Sequence, residues 1–197
     1  MAAERIGAVK RQTRETDIEL SLDLNGTGEY EIATGVPFFD HMLSHVAKHG
    51  LISLNIRARG DIEVDYHHLV EDVGICLGEA LAQAVGDKVG MVRYGEGVVP
   101  MDDACVLCAL DFSGRPHLRY AIEIGPHKIG EFDTELGQVF FKAVAGSGKL
   151  TVHLQQLSGE NSHHILEATF KAFGRALDQA TRLDPRRVGV PSTKGTL

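Results

Sequence analysis

The sequence predicts an α+β fold built from two copies of one unit, and three observations support this prediction. A pair of adjacent histidines, followed three residues later by a glutamate, occurs at 67–71 and again at 163–167, 96 residues further on (163 − 67). Each copy begins a segment with apolar residues every three to four positions, which is typical of an amphipathic helix. Both halves also read strand, strand, helix, one or two strands, helix. Strands interrupted by paired helices favour sheets that are covered on one face by helices.

Alternating apolar residues and turn signals place the elements of the first half. A period of two indicates a half-buried strand, and an Asn-Gly pair between two such runs is typical of a β-hairpin. The predicted elements are a strand at 18–24 joined as a hairpin to one at 30–32, a helix at 37–49, a strand at 52–56, a turn at 59–61, a strand at 62–64, and the helix that carries the first histidine pair.

The second half repeats this order after a glycine-bounded joint at 86–90. We therefore predict a first repeat at 1–90 and a second repeat at 91–197, which ends in a polar, turn-rich tail. The predicted elements are strands at 107–110 and 118–124, a helix at 135–144, a strand at 150–154, and a second histidine-pair helix that stops before Asp184-Pro185.

Composition excludes several classes of protein. Apolar residues make up 43% of the chain and charged residues 24%, which is typical of a globular protein. The formal net charge of −7 argues against nucleic acid as a partner, because phosphate binding needs a basic surface. No apolar run is long enough to span a membrane. We interpret Cys76, Cys105 and Cys108 as reduced core thiols, with a metal or redox site at the Cys105–Cys108 pair as the alternative, and expect a cytoplasmic location.

The histidine pairs suggest a site for two metal ions. Consecutive helical residues point about 100° apart, so His67 and His68 cannot easily bind one ion together. His67 and Glu71 share a helix face, however, and so do His68 and Glu71. Imidazole and carboxylate ligands suit Mn, Fe, Co, Ni or Zn rather than Ca. The alternative is solvated histidines at the starts of two amphipathic helices, which the duplication of the motif disfavours.

Two further patterns extend this candidate site. His41, His45 and His49 lie along one face of the predicted 37–49 helix, and we favour His41 as a ligand. Lys171 follows Glu167 by four residues, on the same face of the second histidine-pair helix. A cation there indicates an anion site, although a simple Glu–Lys surface pair would give the same spacing.

Short motifs along the whole chain form a series that matches a known family. They are Arg11-x-Thr13-x-Glu15-Thr16, Val36-Pro37-Phe38-x-Asp40-His41-Met42-Leu43, His67-His68-x-x-Glu71-Asp72, Pro100-Met101-Asp102-Asp103, Asp111-x-Ser113-Gly114-Arg115-Pro116, His163-His164-x-x-Glu167-Ala168-x-Phe170-Lys171-Ala172-Phe173 and Pro191-Ser192-Thr193-Lys194-Gly195. In this order they resemble the imidazoleglycerol-phosphate dehydratase family of histidine biosynthesis. The resemblance implies two halves, each a four-stranded sheet backed by two helices, of the ribosomal protein S5 domain 2-like type.

The resemblance also implies a site chemistry and an assembly. It implies two Mn²⁺ ions per active site, bound by His41, His67, His68, Glu71, His163, His164 and Glu167. It implies that Glu15, His45 and Asp102 lie at the catalytic centre, where Glu15 moves protons. It also implies that the phosphorylated imidazole substrate is bound by Glu15, Arg93, Arg115, Lys171, Ser192 and Lys194. It further implies trimers that associate into a 24-subunit particle with active sites between subunits.

The chain departs from the family pattern at two positions. Many members carry a histidine where this chain has Val139, and the family often has glutamine where this chain has His45. The implied reaction is loss of water from imidazoleglycerol phosphate, giving imidazoleacetol phosphate, with metal charge stabilising an anionic imidazole. The alternatives are a dinuclear metal-dependent phosphoester hydrolase and a histidine-rich metal-storage module.

Overall fold

The computed structural model of the chain describes residues 4–125 and 127–197. The elements in these residues are β1 (Ile6–Gln12), β2 (Thr16–Asp23), β3 (Tyr30–Ala33), α1 (Pro37–Gly50), β4 (Ser53–Gly60), α2 (His67–Val85), β5 (Tyr94–Met101), β6 (Ala104–Asp111), β7 (His117–Ala121), β8 (Lys128–Ile129), β9 (Phe132–Asp133), α3 (Leu136–Gly148), β10 (Thr151–Ser158) and α4 (Ser162–Thr181).

The strands form two four-stranded sheets with the same order and directions. The first sheet has the order β1-β2-β4-β3, and the second has the order β5-β6-β10-β7. Three strands of each sheet are antiparallel, whereas β3 runs parallel to β4 and β7 runs parallel to β10. The small pair β8-β9 lies in the connection between β7 and α3. The predicted α+β fold with two four-stranded sheets is confirmed.

Several predicted strands are corrected by the structure. β2 and β3 do not form a hairpin, because both pair with β4; Leu22 and Tyr30 lie on either side of Leu54. Ile62 and Val64 are exposed and lie in a turn rather than a strand. The strand predicted at 118–124 ends earlier, at Ala121. β1 and β5 were not predicted at all.

The helices fill the space between the two sheets. α2 packs against β1 and β2 of its own half, and α4 packs against β5 and β6. Across the halves, α1 packs against α4 and α2 packs against α3. Aromatic rings join these helices; the Phe39 ring meets that of Phe140 edge-on, and Phe140 stacks on Phe170. One continuous core therefore holds both halves together. In the part of the chain that the structure describes, no helix is both long and apolar enough to cross a membrane.

Candidate active site

The packing of α1 on α4 brings two histidines and a buried glutamate together. His41 and His45 are one helical turn apart, and their Nε2 atoms are 3.3 Å apart. Glu167 lies opposite on α4, with Oε2 3.4 Å from Nε2 of His41 and Oε1 3.4 Å from Nε2 of His45. Among residues 4–125 and 127–197, this is the one group of three histidine, cysteine, aspartate or glutamate side chains in which one possible ligand atom of each lies within 4.8 Å of the other two.

Two neighbours complete the surroundings of Glu167. Nε2 of His163 lies 3.0 Å from Oε2, and Nζ of Lys171 lies 2.5 Å from Oε1. Burial opposes ionisation of this carboxyl, but the Lys171 hydrogen bond and the charge at His45 lower its pKa to about 2. Burial lowers the pKa of His45 to about 4, because its effect is larger than that of the Glu167 charge, which raises the pKa. At neutral pH the group therefore combines an ionised carboxylate with an unprotonated His45 imidazole.

The second histidine of the first pair is held by a carboxylate. His68 lies at the start of α2, and its Nδ1 is 3.0 Å from Oδ2 of Asp61. That hydrogen bond raises the pKa of His68. Oε2 of Glu15, in the turn between β1 and β2, lies 3.8 Å from the same nitrogen. The His67 ring centroid is 6.2 Å away and its plane is turned by 82°, so the two adjacent rings face different directions.

The second histidine of the second pair has an equivalent arrangement. Nδ1 of His164 lies 2.6 Å from Oδ1 of Asp103, while Nε2 lies 3.6 Å from Oδ2 of Asp102. Oδ2 of Asp103 also accepts the backbone N–H groups of Glu160 and Asn161, which precede α4. These three hydrogen bonds, the backbone ones foremost, hold the pKa of Asp103 well below its usual range. In both pairs a carboxylate at Nδ1 leaves Nε2 available for a ligand.

A cationic cleft lies beside the second sheet. It has a volume of about 520 Å³, and Arg93, Arg115, Ser192 and Lys194 all line it. Arg93 holds the cleft together, because its guanidinium donates to both carboxylate oxygens of Asp111, at 2.7 and 3.0 Å. The same guanidinium donates to the carbonyl of Pro191 at 2.9 Å, which fixes the start of the tail. The cleft combines positive charge with a hydroxyl, which suits a phosphate group.

Comparison with known proteins identifies the family. Residues 34–177 match the family model of imidazoleglycerol-phosphate dehydratase. An imidazoleglycerol-phosphate dehydratase of Moorella thermoacetica is 53% identical, over 98% of each chain. One from Roseobacter denitrificans is 57% identical, over 98% of this chain and all of its own. The crystal structure of the Pyrococcus furiosus enzyme in complex with (S)-C348 superposes with a TM-score of 0.84 at 39% identity, covering 96% of this chain and 100% of that one. The chain belongs to the imidazoleglycerol-phosphate dehydratase family.

Membership of the imidazoleglycerol-phosphate dehydratase family sets the type of reaction. The chain is a dehydratase, and therefore a hydro-lyase, of histidine biosynthesis. The resemblance drawn from the motifs is confirmed. The phosphoester hydrolase and the metal-storage module are not favoured, because the matched relatives cover essentially the whole chain and carry the dehydratase name.

The structure of this family member brings together only part of the predicted metal-binding set. His41, His163 and Glu167 meet around α1 and α4. Glu71 is exposed on α2, and within the described residues His67, His68, Glu71 and His164 belong to no such three-residue group. For the three residues on α2 the reason lies in the helix pairing, because α2 packs against α3, whose residues include no histidine, cysteine, aspartate or glutamate. Val139 on α3 packs against the core instead.

The substrate-binding and catalytic predictions divide in a similar way. Arg93, Arg115, Ser192 and Lys194 share the cationic cleft, whereas Lys171 lies apart beside Glu167, with Nζ also 3.5 Å from the sulfur of Met101. Glu15 and Asp102 each approach the second histidine of one pair. His45, predicted to be catalytic, lies among the predicted metal ligands. These assignments of roles stay predictions.

Two residues of the site were missed from the sequence. The sequence indicates no more than a turn at Asp61, and the family resemblance points to Asp102 rather than to its neighbour Asp103. A carboxylate that holds a histidine ring carries no spacing signal of its own, since Asp103 is 61 residues from His164. The one available signal was the acidic pair in the turn after β5.

Proposed function

We propose that the chain is a metal-dependent dehydratase that removes water from imidazoleglycerol phosphate to give imidazoleacetol phosphate. The observation that carries this proposal is the group of His41, His45 and Glu167, because its imidazole and carboxylate donors suit a first-row divalent metal. The names of the matched relatives supply the substrate.

We propose Mn²⁺ as the metal, with two ions per active site. The proposed ligands are His41, His67, His68, Glu71, His163, His164 and Glu167. Bound metal ions would stabilise the negative charge that develops on the imidazole ring when the substrate loses a proton that no carbonyl group activates. The orientation of His68 by Asp61 and of His164 by Asp103 supports this, because such carboxylates fix the tautomer of ligand histidines.

The remaining residues bind and orient the substrate in this proposal. The cleft of Arg93, Arg115, Ser192 and Lys194 takes the phosphate. Lys171 holds the Glu167 carboxylate and is kept as a substrate contact. Glu15 moves the proton, since its half-exposed carboxylate lies 3.8 Å from Nδ1 of His68 and can reach a substrate bound there. Asp102, on the outside of the turn beside His164, lies where it can contact the same substrate.

Self-association into trimers and a 24-subunit particle belongs to the same proposal. Five proposed ligands, His67, His68, Glu71, His163 and His164, join no three-residue donor group within one chain in the described ranges, which supports completion of the site by other subunits. A cytoplasmic location is also proposed, which suits the free cysteines Cys76, Cys105 and Cys108.

An assay with metal-stripped protein tests the proposed function. The protein is incubated with imidazoleglycerol phosphate, with and without added Mn²⁺, while loss of water and release of inorganic phosphate are followed separately. We expect imidazoleacetol phosphate only when metal is present, and no inorganic phosphate. Turnover without any metal, or phosphate release without dehydration, would contradict the proposal.

The role of Glu15 gives a sharper test in the same assay. Glu15→Gln should lower kcat by about 10²–10⁴-fold, because the amide cannot accept a proton, while Mn²⁺ binding stays unchanged. Glu19→Gln serves as the control, since Glu19 lies on the exposed side of β2 and pairs with Lys10. Near-normal turnover by a Glu15→Gln variant that still binds Mn²⁺ would show that another group moves the proton.

A further inference from the structure

His45 lies beside two of the proposed metal ligands, His41 and Glu167, and outside the cationic cleft that is proposed for the phosphate. We propose that His45 is a metal ligand, which binds one divalent ion together with His41 and Glu167. This inference rests on the proposed metal dependence and changes the role of a residue that the family resemblance implies to be catalytic.

The spacing of the three donor atoms fits a shared ion. Two ligands bound at about 2.1 Å to one ion, at angles between octahedral and tetrahedral, are about 3.0–3.4 Å apart. The observed separations are 3.3 Å between the two Nε2 atoms, 3.4 Å from Nε2 of His41 to Oε2 of Glu167, and 3.4 Å from Nε2 of His45 to Oε1, so the two oxygens of one carboxylate face the two imidazoles. The structure holds these donors at ligand spacing without any change of rotamer.

The carboxylate is fixed between its neighbours. Lys171 donates to Oε1 of Glu167, the oxygen that also faces His45, while Oε2 faces His41 and His163. The helices behind these side chains are equally fixed, because a Cβ atom added at Gly174 would lie 2.9 Å from the carbonyl oxygen of Val46. Such a close helix contact keeps His41 and His45 at one distance from Glu167.

The internal duplication shows that the fold itself does not require histidine at these positions. Gly50 ends α1 and packs on Gly174, just as Gly148 ends α3 and packs on Gly78. This equivalence, 98 residues apart (148 − 50), matches His41 with Val139 and His45 with Ala143. The second copy packs as tightly with two apolar residues, so packing alone does not explain the histidines of the first.

Metal binding to the full-length protein tests this inference without any activity measurement. Metal-stripped wild type and His45→Gln are titrated with Mn²⁺ by calorimetry, and the Mn²⁺ electron paramagnetic resonance signal is used to count coordinated imidazole nitrogens. We expect His45→Gln to lose at least about 10–100-fold in affinity at one site, the loss that even an indirect partner of a metal causes. One imidazole nitrogen should disappear from the spectrum.

His49→Gln is the matched control. His49 lies one turn further along the same helix and its ring stacks on that of His45, but it belongs to no metal-binding group in the described residues. Its variant should bind Mn²⁺ like wild type. His45→Glu guards against misfolding, since it restores a donor oxygen and should recover part of the affinity.

The outcomes separate this inference from the proposed function. If wild type binds Mn²⁺ and His45→Gln binds it with the same affinity and spectrum, His45 is not a ligand while the metal-dependent function stands. If wild type binds no divalent metal at all, both proposals are overturned.

Discussion

At the scale of single residues, the two histidine pairs are built in the same way. In each pair the second histidine turns Nδ1 toward a carboxylate, Asp61 for His68 and Asp103 for His164. Glu15 and Asp103 also correspond by position, 88 residues apart (103 − 15), in the turns after β1 and β5. The chain thus repeats the support of the histidine as well as the histidine itself, which indicates that its orientation matters.

Asp103 allows this support to be tested. Asp103→Asn keeps one oxygen, which can still accept the N–H groups of Glu160 and Asn161, and replaces the oxygen that faces His164 with an amide. We expect Mn²⁺ affinity to fall about 10–100-fold with little change in folding. Asp102→Asn is the comparison, because the Asp102 side chain is 73% exposed and comes no closer than 3.6 Å to Nε2 of His164. Equal affinities for both variants and wild type would mean that Asp103 only closes the turn.

The sequence predicted the histidine pairs but not these carboxylates, for a physical reason. Two adjacent histidines and a glutamate on one helix are a local pattern, so their spacing is visible in the chain. The contact of Asp61 with His68 depends on how the turn after β4 packs against α2. That contact is set by tertiary packing, which no period in the sequence reports.

At the scale of elements, glycine decides how closely the layers approach. A Cβ atom added at Gly7 of β1 would lie 1.9 Å from the carbonyl oxygen of Ala80 on α2. The same distance, 1.9 Å, separates the equivalent position at Gly95 of β5 from the carbonyl oxygen of Ala176 on α4. Each sheet therefore meets its helix through a residue without a side chain, and only glycine fits there.

These glycines explain why β1 and β5 were missed in the sequence. The buried positions of β5 are Gly95, Gly97 and Val99, so the inward face has almost no apolar side chains to reveal a period of two. The hairpin error has a related cause. Alternation shows which face of a strand is buried, but it does not show that β4 pairs with both β2 and β3. Helices with strong apolar faces, such as α2 and α4, are predicted correctly because each helical turn contributes an apolar residue to the buried face, and this spacing is visible in the sequence.

The glycine contact between α1 and α4 gives a prediction that joins stability to metal binding. In Gly174→Ala the new methyl group would press on the backbone of Val46 and Gly50, which cannot rotate away. We expect a loss of about 1–3 kcal/mol in the free energy of unfolding, measured with urea, and weaker Mn²⁺ binding because α1 moves away from Glu167.

Gly146→Ala is the control for this substitution. Gly146 lies inside α3, and nothing lies within 4 Å of an added Cβ atom. Alanine should therefore stabilise the protein by about 0.5–1 kcal/mol through its higher helix propensity, with no effect on metal binding. A Gly174→Ala variant that gained stability in the same way would show that the helices can separate without cost.

At the scale of the whole molecule, one chain supplies an uneven set of donors. The contact of α1 with α4 gathers His41, His45, His163 and Glu167. In the equivalent contact of α3 with α2, Val139 and Ala143 stand at the positions of His41 and His45, and Ala143 faces Gly74 of α2. His67 and Glu71 thus obtain no donor from the helix packed against their own, and a second subunit is the natural source of the missing ligands.

This unevenness predicts that metal ions hold subunits together as well as taking part in the reaction. Ligands from two subunits on one ion link assembly to metal binding by mass action, so removing the metal removes part of the association free energy. We expect sedimentation velocity to show a large particle in Mn²⁺ and smaller species after treatment with a strong chelator, with recovery when Mn²⁺ is restored. His67→Gln should weaken the particle in the presence of Mn²⁺, whereas His49→Gln, outside the proposed ligand set, should not. A large particle that persists after metal analysis shows complete stripping would mean that protein contacts alone hold it, and that each ion is bound within a single chain.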